Sequence, residues 1–162
     1  MKRIVTSSQV AELLQEQLNV WELARNNYEA LKQVKVKELV FDDFKIKVQF
    51  NPARIVSSSA KVDTKSIQER KCFLCEQNRP AIQTGIPFGD DYIILINPFP
   101  IFPKHLTIPS CKHVDQRIAG RLGDMLDLAY NIDEYTIFYN GPKCGASAPD
   151  HAHFQAGSKG FL

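Results

Sequence analysis

The sequence predicts an α+β domain, an antiparallel sheet of about five or six strands with helices packed on it. Three observations carry that expectation. An amphipathic stretch runs from Gln9 to Leu31, short apolar runs ending at turn residues recur through the middle, and a second helical-period stretch, Val114 to Tyr130, lies between two such runs. With 162 residues, 44% of them hydrophobic, the chain can bury one good core and has the size of a single domain, residues 1–162, with the 9–31 helix as an appendage.

In the first stretch Val10, Leu13, Leu14, Leu18, Trp21, Tyr28 and Leu31 repeat at helical spacing, and Thr6 with Gln9 forms a capping-box pattern. Trp21 and Tyr28 read as core residues before they read as a base-stacking platform. Val36 to Phe41 and Phe44 to Phe50 flank Asp42-Asp43, a hairpin pattern whose second run alternates apolar residues with Lys45, Lys47 and Gln49. These lysines, with Lys35 and Lys37, read as a solvated face rather than a phosphate-attracting patch. Gly85, Pro87 and Gly89 predict a loop, and Tyr92 to Ile96 a central strand. The prolines of Asn97 to Pro103 interrupt any ladder, and His105 to Pro109 returns as an antiparallel partner. From Val114 to Tyr130 the residues Ile118, Leu122, Met125, Leu126 and Ala129 predict a helix that Gly120 and Gly123 weaken without ending. Tyr135 to Tyr139 is the last strand before the C-terminal stretch.

That stretch, Tyr139 to Gly157, carries the chemistry. It holds two of the four histidines, and His151, His153 and Gln155 are spaced so that in an extended strand all three project into one site. The preceding loop, with Gly141 and Gly145, lets backbone amides approach an anion. Lys143 in the loop and Arg54 farther upstream are candidate phosphate contacts, Arg54 because its planar fork suits phosphate oxygens.

Cys72-Phe73-Leu74-Cys75 is the second informative feature. Two thiolates at this spacing can bite one tetrahedral zinc if two more ligands come from elsewhere, and they also fit a pair of buried thiols or a redox pair. Four cysteines in all suit a reducing compartment better than a disulfide scaffold. Net charge of +2 is too weak to argue for nucleic acid or a membrane surface as partner. The N-terminus has no apolar run of a signal peptide, so a cytoplasmic location is expected.

Taken together, the order of strand, His105-Leu106-Thr107-Ile108-Pro109, His113, helix, strand, Asn140, small-residue loop and His151-Ala152-His153-Phe154-Gln155 resembles the histidine-triad (HIT-like) superfamily. The His-x-His-x-Gln ending resembles its transferase branch, which holds galactose-1-phosphate uridylyltransferases, diadenosine tetraphosphate phosphorylases and GDP-hexose phosphorylases. Hydrolase members carry a third histidine where this chain has Gln155. The resemblance covers about residues 50 to 157 and leaves out the N-terminal helix.

The resemblance implies an enzyme, a nucleotidyltransferase or nucleotide phosphorylase. His153 is then the nucleophile that takes the nucleotidyl group, and Gln155 the amide that bonds phosphate oxygens. Asn140 and Ser147 match phosphate-site residues, although His151 follows Ser147 by one residue more than in the uridylyltransferases. Asn97 lies near the ribose-contacting position. Cys72, Cys75, His113 and His151 are implied ligands of a closed, structural zinc. The implied partners are a nucleotide or nucleotide-sugar substrate and a phosphorylated acceptor or phosphate, with neither a membrane nor a nucleic acid. Members of this branch carry two similar halves, so the chain is expected to be either the N-terminal half of a longer enzyme or a subunit that forms a homodimer. Two other readings stay open, a HIT-type hydrolase and a zinc-stapled module that binds a nucleotide or RNA without turnover.

Overall fold

The structure, a computed structural model, describes residues 5–52 and 61–160. Arg54 therefore lies outside the described residues. Helices α1 (Ser7–Val20) and α2 (Glu22–Ala30) come first, followed by the hairpin β1 (Lys35–Val40) and β2 (Lys45–Phe50). After the short α3 (Thr64–Glu69) come β3 (Gly85–Phe88), β4 (Tyr92–Ile96) and β5 (Leu106–Pro109). The chain then runs through α4 (Leu122–Asn131), β6 (Tyr135–Phe138) and β7 (His153–Ser158). The main sheet has five strands in the order β3-β4-β5-β7-β6, every neighbouring pair antiparallel. The expected antiparallel α+β architecture holds, with the β1–β2 hairpin as a separate two-stranded sheet.

One face of the main sheet is the core. Ile94, Ile96, Leu106, Ile108, Phe154 and Ala156 alternate onto it and meet Val10, Leu13 and Ala24 from the first two helices and Leu128 and Ile132 from the α4 end. The residues between them in sequence, including Thr107, His153 and Gln155, take the opposite face. This division puts Thr107, His153 and Gln155 on the face away from that core.

Local details depart from the sequence reading in four places. The expected 9–31 helix is two helices, because Trp21 leaves the helical region at φ −102° and ψ 96° with no glycine or proline to signal it. Its indole is buried instead, as is Gln17, whose amide donates to Ile82 O at 3.1 Å and Thr84 Oγ1 at 2.9 Å. The Thr6–Gln9 capping box is present. The expected loop at Gly85 to Gly89 contains β3, which tolerates Pro87 because it is an edge strand. The helix after His113 begins only at Leu122, since Gly120 sits at φ +76°. Its inward side is half-buried Met125 and buried Leu128, continued by buried Ile132 just past its end, and Leu122 and Leu126 face solvent. Finally, the apolar stripe of the hairpin, Leu39, Phe41, Phe44, Ile46, Val48 and Phe50, is exposed along with its lysines. Among the described residues no helix is long and apolar enough to cross a membrane.

Candidate active site and metal centre

His153 is held from several sides. Its backbone N–H donates to Gln116 Oε1 at 2.8 Å, and its carbonyl accepts from Gln116 Nε2 at 3.0 Å. The same Nε2 donates to Asn140 O at 2.9 Å, so one buried glutamine ties the start of β7 to the end of the preceding strand. The ring Nδ1 of His153 lies 2.8 Å from the carbonyl of His151. A carbonyl can only accept, so Nδ1 carries the proton and the lone pair of the neutral ring is on Nε2. Burial pushes the His153 pKa below its usual value despite the opposing carbonyl hydrogen bond, which favours that neutral form.

Gln155 points to the same side of β7, two residues on. Its amide is oriented by His105: Nδ1 of His105 accepts from Ile101 N–H at 3.2 Å, and Nε2–H donates to Gln155 Oε1 at 2.9 Å. The Gln155 NH2 therefore remains as the donor end. His105, read from sequence as an ordinary strand histidine, belongs to the site through this bond.

His153 and Gln155 line a cavity of about 400 Å³ with apolar walls from Trp21, Phe73, Leu74 and Phe99. Ser147 and Asn97 also line it. Asn97 already uses its amide, donating to Thr107 Oγ1 at 3.0 Å and accepting from Phe99 N–H at 2.9 Å. Asn140, Lys143 and Gly145 are not among the lining residues: the Asn140 carbonyl holds Gln116, Lys143 is exposed, and Gly145 turns the loop at φ +88°. Only two of the three side chains expected to share one site do so. His151 precedes β7, in a turn closed by its N–H to Ala148 O at 3.3 Å, and its ring goes to the cysteines.

Cys72, Cys75, His113 and His151 place one ligand atom each within 4.8 Å of one another, a group able to hold a metal ion. The hydrogen bonds suit that use. His151 Nε2–H donates to Ser110 O at 2.8 Å, leaving the Nδ1 lone pair 3.3 Å from Cys72 Sγ and 3.6 Å from Cys75 Sγ. His113 brings Nδ1 to 3.2 Å from Cys75 Sγ, and its Nε2 lies 3.6 Å from Asp150 Oδ2. In a tetrahedral zinc site the S···N edges come to roughly 3.6 Å, close to these separations. Without an ion the same separation suits a doubly protonated His151 ring, whose Nδ1–H would donate to Cys72 Sγ; burial alone would raise the Cys72 thiol, but that bond and nearby amides outweigh it and bring it down to about 6. Burial and the neighbouring Cys72 push the Cys75 thiol up to about 11.

Sequence reasoning missed His105, Gln116 and Arg70, which lines the cavity and donates to Ser147 O at 2.8 Å. A cation two residues before the first knuckle cysteine was the available signal for Arg70. Nothing in the sequence marked Gln116.

The profile of the domain of unknown function DUF4922 matches residues 13–158. The chain belongs to this family. A sequence relative of this DUF4922 protein is diadenosine 5',5'''-P1,P4-tetraphosphate phosphorylase 2 of Saccharomyces cerevisiae, 35% identical over 83 residues, covering 41% of this chain and 25% of that protein. That match bears out the resemblance to the transferase branch. Among solved structures, yeast Ap4A phosphorylase Apa2 is 21% identical with a TM-score of 0.48, covering 89% of this chain and 49% of that one. Its complex with AMP is 22% identical with a TM-score of 0.49, covering 87% and 48%. The DUF4922 chain thus spans about half the length of these solved relatives.

Proposed function

We propose that this chain performs nucleotidyl transfer with His153 as the nucleophile, taking a nucleoside monophosphate from a dinucleoside polyphosphate or nucleoside-diphosphate sugar and passing it to phosphate or a phosphorylated acceptor. One observation carries the reading: a buried, neutral histidine whose Nδ1 is fixed by a chain carbonyl lines one cavity with an amide whose donor end has no partner among the described residues. Nε2 attacks the phosphorus next to the sugar, a P–N bond forms, and the P–O bond to the remaining phosphates breaks, the electron pair leaving with them. The acceptor oxygen then attacks the same phosphorus and the P–N bond breaks, returning the neutral imidazole. Two easier displacements replace one difficult one. Gln155 and the backbone around Ser147 offer donors to oxygens that gain charge during transfer, and the apolar walls suit a stacked base.

The sequence kinship favours a dinucleoside polyphosphate as donor over the sugar nucleotide of a galactose-1-phosphate uridylyltransferase. In this reading the Cys72, Cys75, His113 and His151 group holds zinc as a structural clamp, fixing the knuckle to the turn before β7, and takes no part in the transfer. The deciding experiment incubates the protein with diadenosine tetraphosphate and inorganic phosphate and separates the products. Equal amounts of ADP and ATP are expected, and both should depend on phosphate. AMP and ATP formed without phosphate would make the protein a hydrolase, and no product with any donor would leave a binding module.

A further inference from the structure

The nucleotidyl-transfer reading assigns phosphate contacts to β7 and the loop before it, but a cation held against that loop lines the same cavity. Arg70 follows α3 and lines the cavity together with Ser147, His153 and Gln155. Its Nη2 donates to Ser147 O at 2.8 Å and lies 3.4 Å from Asp150 Oδ1, and the guanidinium carbon sits 5.2 Å from the centre of the Phe73 ring. Those three contacts fix the plane of the fork. They do not satisfy it: Nε is buried with no hydrogen-bond partner among the described residues. A guanidinium held at the cavity wall, with its charge only partly met by one carboxylate at 3.4 Å, can turn its Nη N–H groups to the oxygens of an anionic ligand.

We propose that Arg70 is a phosphate-binding residue of this cavity, and that Asp150 ties its position to the cysteine–histidine group. Asp150 is shared: Oδ1 meets Arg70 and Oδ2 lies 3.6 Å from His113 Nε2. Arg70 is also two residues from Cys72, and Phe73, beneath its guanidinium, lies between the two knuckle cysteines. Order in the cysteine–histidine group therefore passes to the phosphate contact by two short routes, the backbone of the knuckle and the Asp150 carboxylate. The four ligand residues fit a metal ion, as their separations and ring tautomers indicate, and a bound ion would hold both routes in place. Arg70 thereby distinguishes nucleotides from nucleosides, acting on binding of any phosphate ester in the cavity.

The proposal rests on the cavity being a nucleotide site, and the test separates the two claims. Affinities for AMP and for adenosine are measured by calorimetry on the full chain, wild type, Arg70→Ala and Arg70→Lys, with melting temperature and metal content recorded for each. Losing a charge-assisted contact should weaken AMP binding by about 10- to 100-fold and leave adenosine binding within about twofold. Arg70→Lys should recover only part of the loss, because an ammonium lacks the planar fork. Stripping the metal with a chelator should weaken AMP binding in the wild type and have a much smaller further effect in Arg70→Ala. AMP affinity unchanged in Arg70→Ala, or AMP and adenosine weakened equally, overturns the assignment while leaving the nucleotide site intact. Wild-type protein that binds neither ligand overturns the site and the assignment together.

Discussion

His105 Nε2 donates to Gln155 Oε1 at 2.9 Å beside the β5–β7 pairing, so the oxygen of this cavity-lining amide is engaged and its NH2 is left as the donor end. The bond depends in turn on Ile101 N–H, which occupies His105 Nδ1 and forces the proton onto Nε2.

Replacing His105 by phenylalanine keeps an aromatic ring packed beside Phe102, with centroids 4.6 Å apart in the native protein, while freeing the Gln155 amide to rotate. The turnover rate should fall by about tenfold with nucleotide affinity little changed, as expected when one transition-state donor is misaimed rather than removed. Gln155→Ala should cost more, about 100-fold in rate. Steady-state kinetics with diadenosine tetraphosphate and phosphate checks both, and equal rates for wild type and His105→Phe would make the bond incidental.

Gln116 makes a second prediction. Its amide serves His153 N–H and His153 O in the buried interior and Asn140 O in a half-buried position. Gln116→Met fills similar space but leaves those groups unpaired, each at a cost of about 1–3 kcal/mol. Urea unfolding should show a loss of about 3 kcal/mol, allowing for partial relaxation. A loss below about 0.5 kcal/mol, within the scatter of surface substitutions, would mean the clamp is dispensable.

Gly157 supplies a third. It faces Phe102 across the sheet, and a Cβ there would overlap the ring. Phe102 also packs on His105, the rings tilted by 44°, so the glycine lets one aromatic ring seat against β7 and back the histidine that orients Gln155. Gly157→Ala should destabilise by about 1–3 kcal/mol through overpacking and lower the turnover rate as His105 shifts. Thermal unfolding and kinetics on the same preparation check this, and an unchanged melting temperature would contradict the tight seat.

For the metal centre, purified protein should contain about one zinc per chain, bound by the four residues Cys72, Cys75, His113 and His151. Cys72→Ser should lower both metal content and melting temperature. Protein that stays metal-free after refolding with zinc would remove the clamp and leave His151 with the role of presenting its carbonyl to His153.

Much of this was legible in the sequence because it rests on local signals. The Thr6–Gln9 box, the Tyr92 to Ile96 run and the His153-Phe154-Gln155 alternation each act within a few residues, and each has its counterpart in the structure. The break at Trp21 and the late start of α4 were harder, because tertiary burial of the indole decides the first and the left-handed Gly120 the second. His105, Gln116 and Arg70 were hidden for a common reason. Their roles come from hydrogen bonds to residues 50, 37 and 77 positions away, which no periodicity records. Conversely, the assumption that His151 shares the face of His153 failed because the turn at Ala148 to His151 delays the strand to residue 153.

The central claim is that His153 Nε2 carries the nucleotidyl group. Intact-mass measurement after mixing the protein with diadenosine tetraphosphate in the absence of phosphate tests it most directly. One adenylyl group should appear on the wild-type chain and vanish when phosphate is added, with ADP released. His153→Ala should remain unmodified while keeping its metal content and fold. An adduct that persists in His153→Ala, or wild-type protein that turns over the substrate without ever carrying the group, would contradict the account.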